Sequence, residues 1–129
     1  MRLPEYVCEI LDKLRNSGYE AYCVGGCVRD YLLGQCPDDY DVTTSALPEQ
    51  IMKVFDGYKL LTVGLKHGTV TVIINRKTVE ITTYRIDGNY TDHRHPSEVR
   101  FTPCLKEDLA RRDLTINAMA YSPEKGIID

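Results

Sequence analysis

The chain has 129 residues, 43% hydrophobic and 27% charged, and its 16 basic and 19 acidic side chains leave a formal net charge of -3. That length suits one domain burying about two-thirds of its unfolded surface, so a core needs no disulfide staples, and the mild acidity advertises no general polyanion-binding surface while leaving local clusters open. Cys8, Cys23, Cys27, Cys36 and Cys104 form an odd set without repeated spacing, no apolar run approaches the ~18 residues of a membrane span, and Met1-Arg2-Leu3-Pro4 lacks the apolar core of a signal peptide. A reduced, cytoplasmic protein with no membrane association is expected.

In chain order, Val7, Ile10, Leu11 and Leu14 recur at helical spacing between Pro4 and Asn16, with Gly18 as a stop. Glu20 to Val24 reads as a strand running into Gly25-Gly26, which opens a second helix, Cys27 to Leu33, ended by Gly34. After the turn at Cys36-Pro37-Asp38, the β-branched and aromatic run Tyr40 to Thr44 predicts a strand, with Asp39 and Asp41 on one face. Ser45 to Glu49 reads as the entry to a helix whose apolar side is Ile51, Met52, Val54 and Phe55, stopped by Asp56-Gly57.

Tyr58 to Val63, Thr69 to Ile74 and Thr78 to Tyr84 predict three strands, the last two joined at Asn75-Arg76-Lys77 as a hairpin. In the third, Val79 and Ile81 point to one side, and Glu80 and Thr82 to the other. Asp87 to Ser97, without periodicity, predicts a mobile loop. Val99 to Thr102 predicts a short strand and Leu105 to Arg111 a helix with Leu105, Leu109 and Ala110 inward. Leu114 to Tyr121 reads as a short helical or extended piece, before a turn at Ser122 to Gly126. Strands and helices in this mixed order, with a run of antiparallel strands, predict an α+β fold rather than a doubly wound sheet.

Three features carry possible chemistry. A Gly-Gly pair between strand and helix lets the backbone approach a ligand closely, and the helix start offers N–H groups with partial positive charge, which suits a triphosphate. The pattern is neither a Walker loop nor a dinucleotide fingerprint. Arg29, one turn in, is placed to pair with a phosphate or simply with Asp30. Asp39 and Asp41 are hard oxygen donors suited to Mg²⁺, and Glu80 is a candidate third carboxylate; the bland alternative is a solvated strand end. His93 and His95 with Cys23 and Cys27 fit no familiar zinc spacing, nothing pairs Cys104 with His67 as a nucleophile and base, and the cysteines read best as small core residues. Arg111-Arg112-Asp113 reads as a helix-end ion-pair cluster unless a ligand claims it.

VGGCVRDYLLG, DDYDVTTSALPEQ, VEITTYRIDGNYTDHRHPSEVRF and DLARRDLTINAMAYSP, in this order between Tyr22 and Pro123, together resemble the head domain of class II tRNA nucleotidyltransferases, the CCA-adding enzymes. Bacterial poly(A) polymerases share that domain. The resemblance implies a polymerase-beta-like nucleotidyltransferase fold, a mixed and mostly antiparallel sheet flanked by helices. It implies that Asp39 and Asp41 hold two Mg²⁺ ions, with Glu80 the third active-site carboxylate. Gly25, Gly26 and Arg29 would grip the nucleotide's triphosphate and Arg112 would help, with Asp113 and Asn117 bracing that segment. The stretch Asp87 to Pro96 matches the flexible element that helps reposition the site between adding C and adding A, and no role for His93 or His95 follows.

The implied reaction is attack of an RNA 3′-hydroxyl on the α-phosphate of CTP or ATP, with pyrophosphate leaving and the tRNA 3′ end extended. In the family the head continues into a neck that reads the base and into body and tail domains that hold tRNA. Residues 1–129 are therefore expected to be an isolated head lacking those domains, binding nucleotide weakly and with little base discrimination. The same motifs fit the head of an A-adding, CC-adding or poly(A) polymerase relative. A non-catalytic nucleotide-binding module, or a small nucleotidyltransferase acting on a small molecule or protein, stays open from the fold alone.

Overall fold

The structure, a computed structural model, describes residues 3–34, 40–87, 99–110, 119–123 and 125–128. Three helices come early: α1 (Glu5–Asn16), α2 (Gly26–Leu32) and α3 (Pro48–Val54), with β1 (Ala21–Val24) and β2 (Tyr40–Thr44) between them. β3 (Lys59–Leu61), a short 3-10 turn (Leu65–His67), β4 (Thr69–Ile74) and β5 (Lys77–Thr83) follow. The remainder comprises β6 (Arg85–Asp87), β7 (Val99–Phe101), α4 (Leu105–Ala110), β8 (Ala120–Ser122) and β9 (Gly126–Ile128).

Seven strands form one sheet in the order β3-β4-β5-β2-β1-β8-β9, and β6 and β7 pair separately. Every neighbouring pair is antiparallel except β2 and β5. The mixed, mostly antiparallel α+β expectation therefore holds. The parallel pair sits at the centre because the chain leaves β2, crosses by α3 and the β3-β4 hairpin, and returns alongside as β5.

One face of the sheet is closed by helices. Val7, Ile10, Leu11 and Leu14 of α1, the four positions expected to face inward, are all buried, and with Ile51 and Phe55 of the α3 region they pack on Cys23, Val42, Val70, Val72, Val79 and Ile81. Burying each such aliphatic side chain contributes about 1.5–3 kcal/mol. Pro4 precedes α1, and the Leu47 N–H at the entry to α3 donates to Gln50 Oε1 at 2.8 Å. The opposite face carries a smaller cluster of Tyr22, Val24, Tyr84, Leu109 and Ala120, and beyond it lies open toward β5 and β4.

Several expectations are corrected. Asp87, expected to open a loop, instead ends the strand Arg85–Asp87, and neither that strand nor β9 was foreseen; at three residues each, neither repeats a period often enough to be read. In α4 Leu109 is buried but Ala110 is exposed, and the inward position is taken instead by Asp108, whose carboxylate accepts from the buried Thr43 hydroxyl. The Cys36-Pro37-Asp38 turn, most of the expected loop from residue 88 onward with His93 and His95, and the stretch 111–118 lie outside the described residues. No helix among the described residues is long and apolar enough to cross a membrane.

Candidate active site

Strand alternation builds the site. In β2, Asp41 is exposed between buried Tyr40 and Val42; in β5, Glu80 is exposed between buried Val79 and Ile81. The apolar neighbours are claimed by the helix-covered core, so both carboxylates are turned onto the open face. Parallel pairing places Asp41 directly opposite Glu80, with Val24 and Thr71 continuing the row on either side. Adjacent strands lie about 4.8 Å apart, close enough for two carboxylates to share one cation. A cleft of about 340 Å³ is lined by Tyr40, Asp41, Thr78 and Glu80.

Thr78 escaped the sequence reading as a site residue. Its signal was present, since it stands two residues before Glu80 on the same strand face.

The glycine pair stands at one end of this row. Val24, the last residue of β1, is paired with Asp41, and Gly25 follows at φ 77°, a left-handed conformation that a side chain disfavours. A Cβ on Gly25 would lie 3.8 Å from Asp41 Oδ2, so the turn passes its backbone directly beside the carboxylate. α2 begins at Gly26, as a strand-to-helix turn requires, and Arg29 Nε donates to Asp30 Oδ1 at 3.3 Å across a largely exposed pair. Such an exposed contact is worth well under about 1 kcal/mol and yields easily to a more highly charged anion.

Cys23 and Cys27 flank the turn and belong to the core, and the four cysteines among the described residues are free. The neighbouring Cys27 thiol, and then burial, push Cys23 well above the usual thiol range. Cys27 also donates to the Val24 carbonyl at 3.3 Å. They pack the underside of the turn, as small apolar residues do. Asp39 and Arg112 lie outside the described residues, as do Asp113 and Asn117, and no three His, Cys, Asp or Glu side chains converge as a metal cage among the described ones. The structure thus brings together Gly25, Gly26, Asp41 and Glu80, with Arg29 on the adjoining helix. Exposed, hard carboxylate oxygens on a rigid central strand pair are a donor set that fits a small divalent cation.

Residues 21–129 match the family model described as the poly A polymerase head domain. The chain belongs to that family. Among head-domain relatives, the CCA-adding enzyme of Geobacillus kaustophilus is 50% identical over 125 residues, 97% of this chain and 30% of that protein. The crystal structure of the Bacillus stearothermophilus CCA-adding enzyme in complex with CTP superposes with a TM-score of 0.86 at 45% identity, covering 100% of this chain and 30% of the other. A tRNA nucleotidyltransferase complexed with a primer tRNA and an incoming ATP analog matches with a TM-score of 0.65 at 31% identity, over 93% of this chain and 34% of that one. The chain therefore spans about a third or less of these relatives, and its fold is the polymerase-beta-like head architecture they carry.

Proposed function

We propose that residues 1–129 form the catalytic head of a template-independent RNA nucleotidyltransferase that adds C and A from CTP and ATP to the 3′ end of tRNA. The observation that carries this reading is the facing of Asp41 and Glu80 across the central parallel strand pair, beside the backbone of Gly25. It is supported by relatives of CCA-adding type, one of them solved with CTP. Base selection and most of the tRNA grip would fall to the neck, body and tail domains that the resemblance implies.

Asp39 and Asp41 would hold Mg²⁺, with Glu80 as the third carboxylate. When bound, the metal supplies Lewis-acid stabilisation of charge on the phosphates and the attacking hydroxyl. The chain's own contribution is placement. Gly25 and Gly26 let main-chain N–H groups meet the triphosphate, and Arg29 exchanges its exposed contact with Asp30 for the phosphate. Arg112 adds a second guanidinium. The open face leaves the RNA 3′-hydroxyl a line of approach to the α-phosphate, while the helix-covered face keeps the carboxylate strands from shifting.

The test is to exchange this chain for the head of the full-length Geobacillus kaustophilus enzyme and follow labelled CMP and AMP incorporation into tRNA lacking its CCA end. The parent chimera should extend the primer, and Asp39→Ala with Asp41→Ala should abolish incorporation. Normal turnover by the double variant would refute the proposal. Products ending in A alone, in CC, or in long A tracts would instead assign the head to an A-adding, CC-adding or poly(A) polymerase.

A further inference from the structure

One carboxylate lies outside the cleft and is wholly withdrawn from water. Asp108, on α4, is 0% exposed; its Oδ2 accepts from Thr43 Oγ1 at 3.1 Å and its Oδ1 from the Arg85 N–H at 3.0 Å. Burying an ionisable carboxylate is costly, and an apolar side chain in this position of α4 would serve packing better. What Asp108 does that an apolar residue does not is join three segments at one point.

Thr43 is two residues beyond Asp41 on β2 and therefore on the same strand face. Arg85 opens β6, the first strand of the separate β6-β7 hairpin, and is held on its other side by Nη1 donating to the His67 carbonyl at 2.9 Å. The residue before it, Tyr84, donates its N–H to the Thr44 carbonyl at 2.7 Å, so β2 is gripped at two successive residues from the same quarter. α4 itself leads into the stretch that contains Arg112, four residues after Asp108.

We propose that Asp108 is a positioning residue for the transfer site: through Thr43 it fixes the lateral placement of the strand bearing Asp41, and through Arg85 and α4 it locks that strand to the two flanking segments. The proposal rests on the functional reading above. Asp108 touches neither nucleotide nor cation. It acts through the hydroxyl of Thr43, so losing either side chain should loosen the carboxylate geometry without removing a ligand.

The experiment titrates Mn²⁺ into the 129-residue chain, read by water-proton relaxation, alongside thermal melting. Thr43→Val removes the hydroxyl at nearly constant volume, and Asp108→Asn keeps the size while removing the charge. Each should weaken Mn²⁺ binding about threefold to tenfold, below the loss typical of a group bonded directly to a metal ligand. The double variant should bind no more weakly than Asp108→Asn alone, a non-additivity that general destabilisation would not produce in metal affinity. Unchanged Mn²⁺ binding in folded Thr43→Val, or additive losses, would overturn the proposal; if Asp108→Asn does not fold, Thr43→Val alone decides it. Asp41→Asn separates the two levels: binding as tight as the parent's would overturn the functional reading and this proposal together, whereas weakened binding there with none lost in Thr43→Val would overturn only the role of Asp108.

Discussion

Asp41 and Glu80 face solvent for a reason that lies in their neighbours: Tyr40, Val42, Val79 and Ile81 are all needed by the core, and a strand has only two sides. This is why both orientations were legible from alternation alone. Asp108 was not, because a helix of six residues gives an acid three positions after Leu105 the same spacing whether it faces inward or is merely solvated. Tyr84 is a second residue whose role depends on distant partners. It is fully buried, and its hydroxyl donates to Glu20 Oε1 at 2.9 Å.

Burial, and then the charge of Glu20, push the Tyr84 phenol well above its usual 10.0. A group whose pKa is raised on folding contributes stability that is whole below the unfolded value and is lost as pH climbs above it. Tyr84→Phe should therefore cost about 1 kcal/mol near neutral pH through the lost hydrogen bond. Its melting temperature should also fall less steeply than the parent's between about pH 9 and about pH 11. Some slope should survive in the variant, because the hydrogen bond to Glu9 raises Tyr58 from 10.0 to about 12. Parallel melting curves for the two proteins would show that Tyr84 does not carry the alkaline sensitivity.

Among the elements, the β4-β5 hairpin delivers Glu80, and its turn is the least comfortable part of it. Asn75 and Arg76 sit at φ 52° and 65°, the paired left-handed conformation that a two-residue connection between twisted strands demands. Asn tolerates it; Arg does not, at about 1–2 kcal/mol, of which the extra unfolded-state freedom of glycine would return roughly half. Arg76→Gly should thus stabilise the chain by about 0.5–1 kcal/mol in denaturant melts, and a loss of stability would contradict the turn geometry.

The turn residues, α1, α3 and the longer strands were legible because each repeats its own period or carries its own stop. The pairing of β2 with β5 was not, since it joins segments separated by a helix and a hairpin, and local patterning does not specify non-local neighbours. Nor were β6 and β9, whose identity comes from their partners β7 and β8.

For the molecule as a whole, the division of labour between the two faces of the sheet explains both stability and site. One face is sealed by α1 and α3 over a continuous apolar core, and the other keeps its carboxylates and the cleft between β2 and β5 open. The ordered motifs pointed to this arrangement through resemblance, while the residues alone favoured a solvated Asp-x-Asp strand end. The facing of Asp41 and Glu80 across β2 and β5 is the physical feature that supports the proposed site, because a merely solvated strand end requires no second acid opposite it. The most direct measurement is an anomalous difference map from crystals of this chain grown with Mn²⁺ and CTP. The account predicts a Mn²⁺ peak in the cleft at bonding distance from Asp41, with the triphosphate against Gly25 and Gly26; a nucleotide bound elsewhere, or a cleft without a Mn²⁺ peak while CTP is bound, would contradict it.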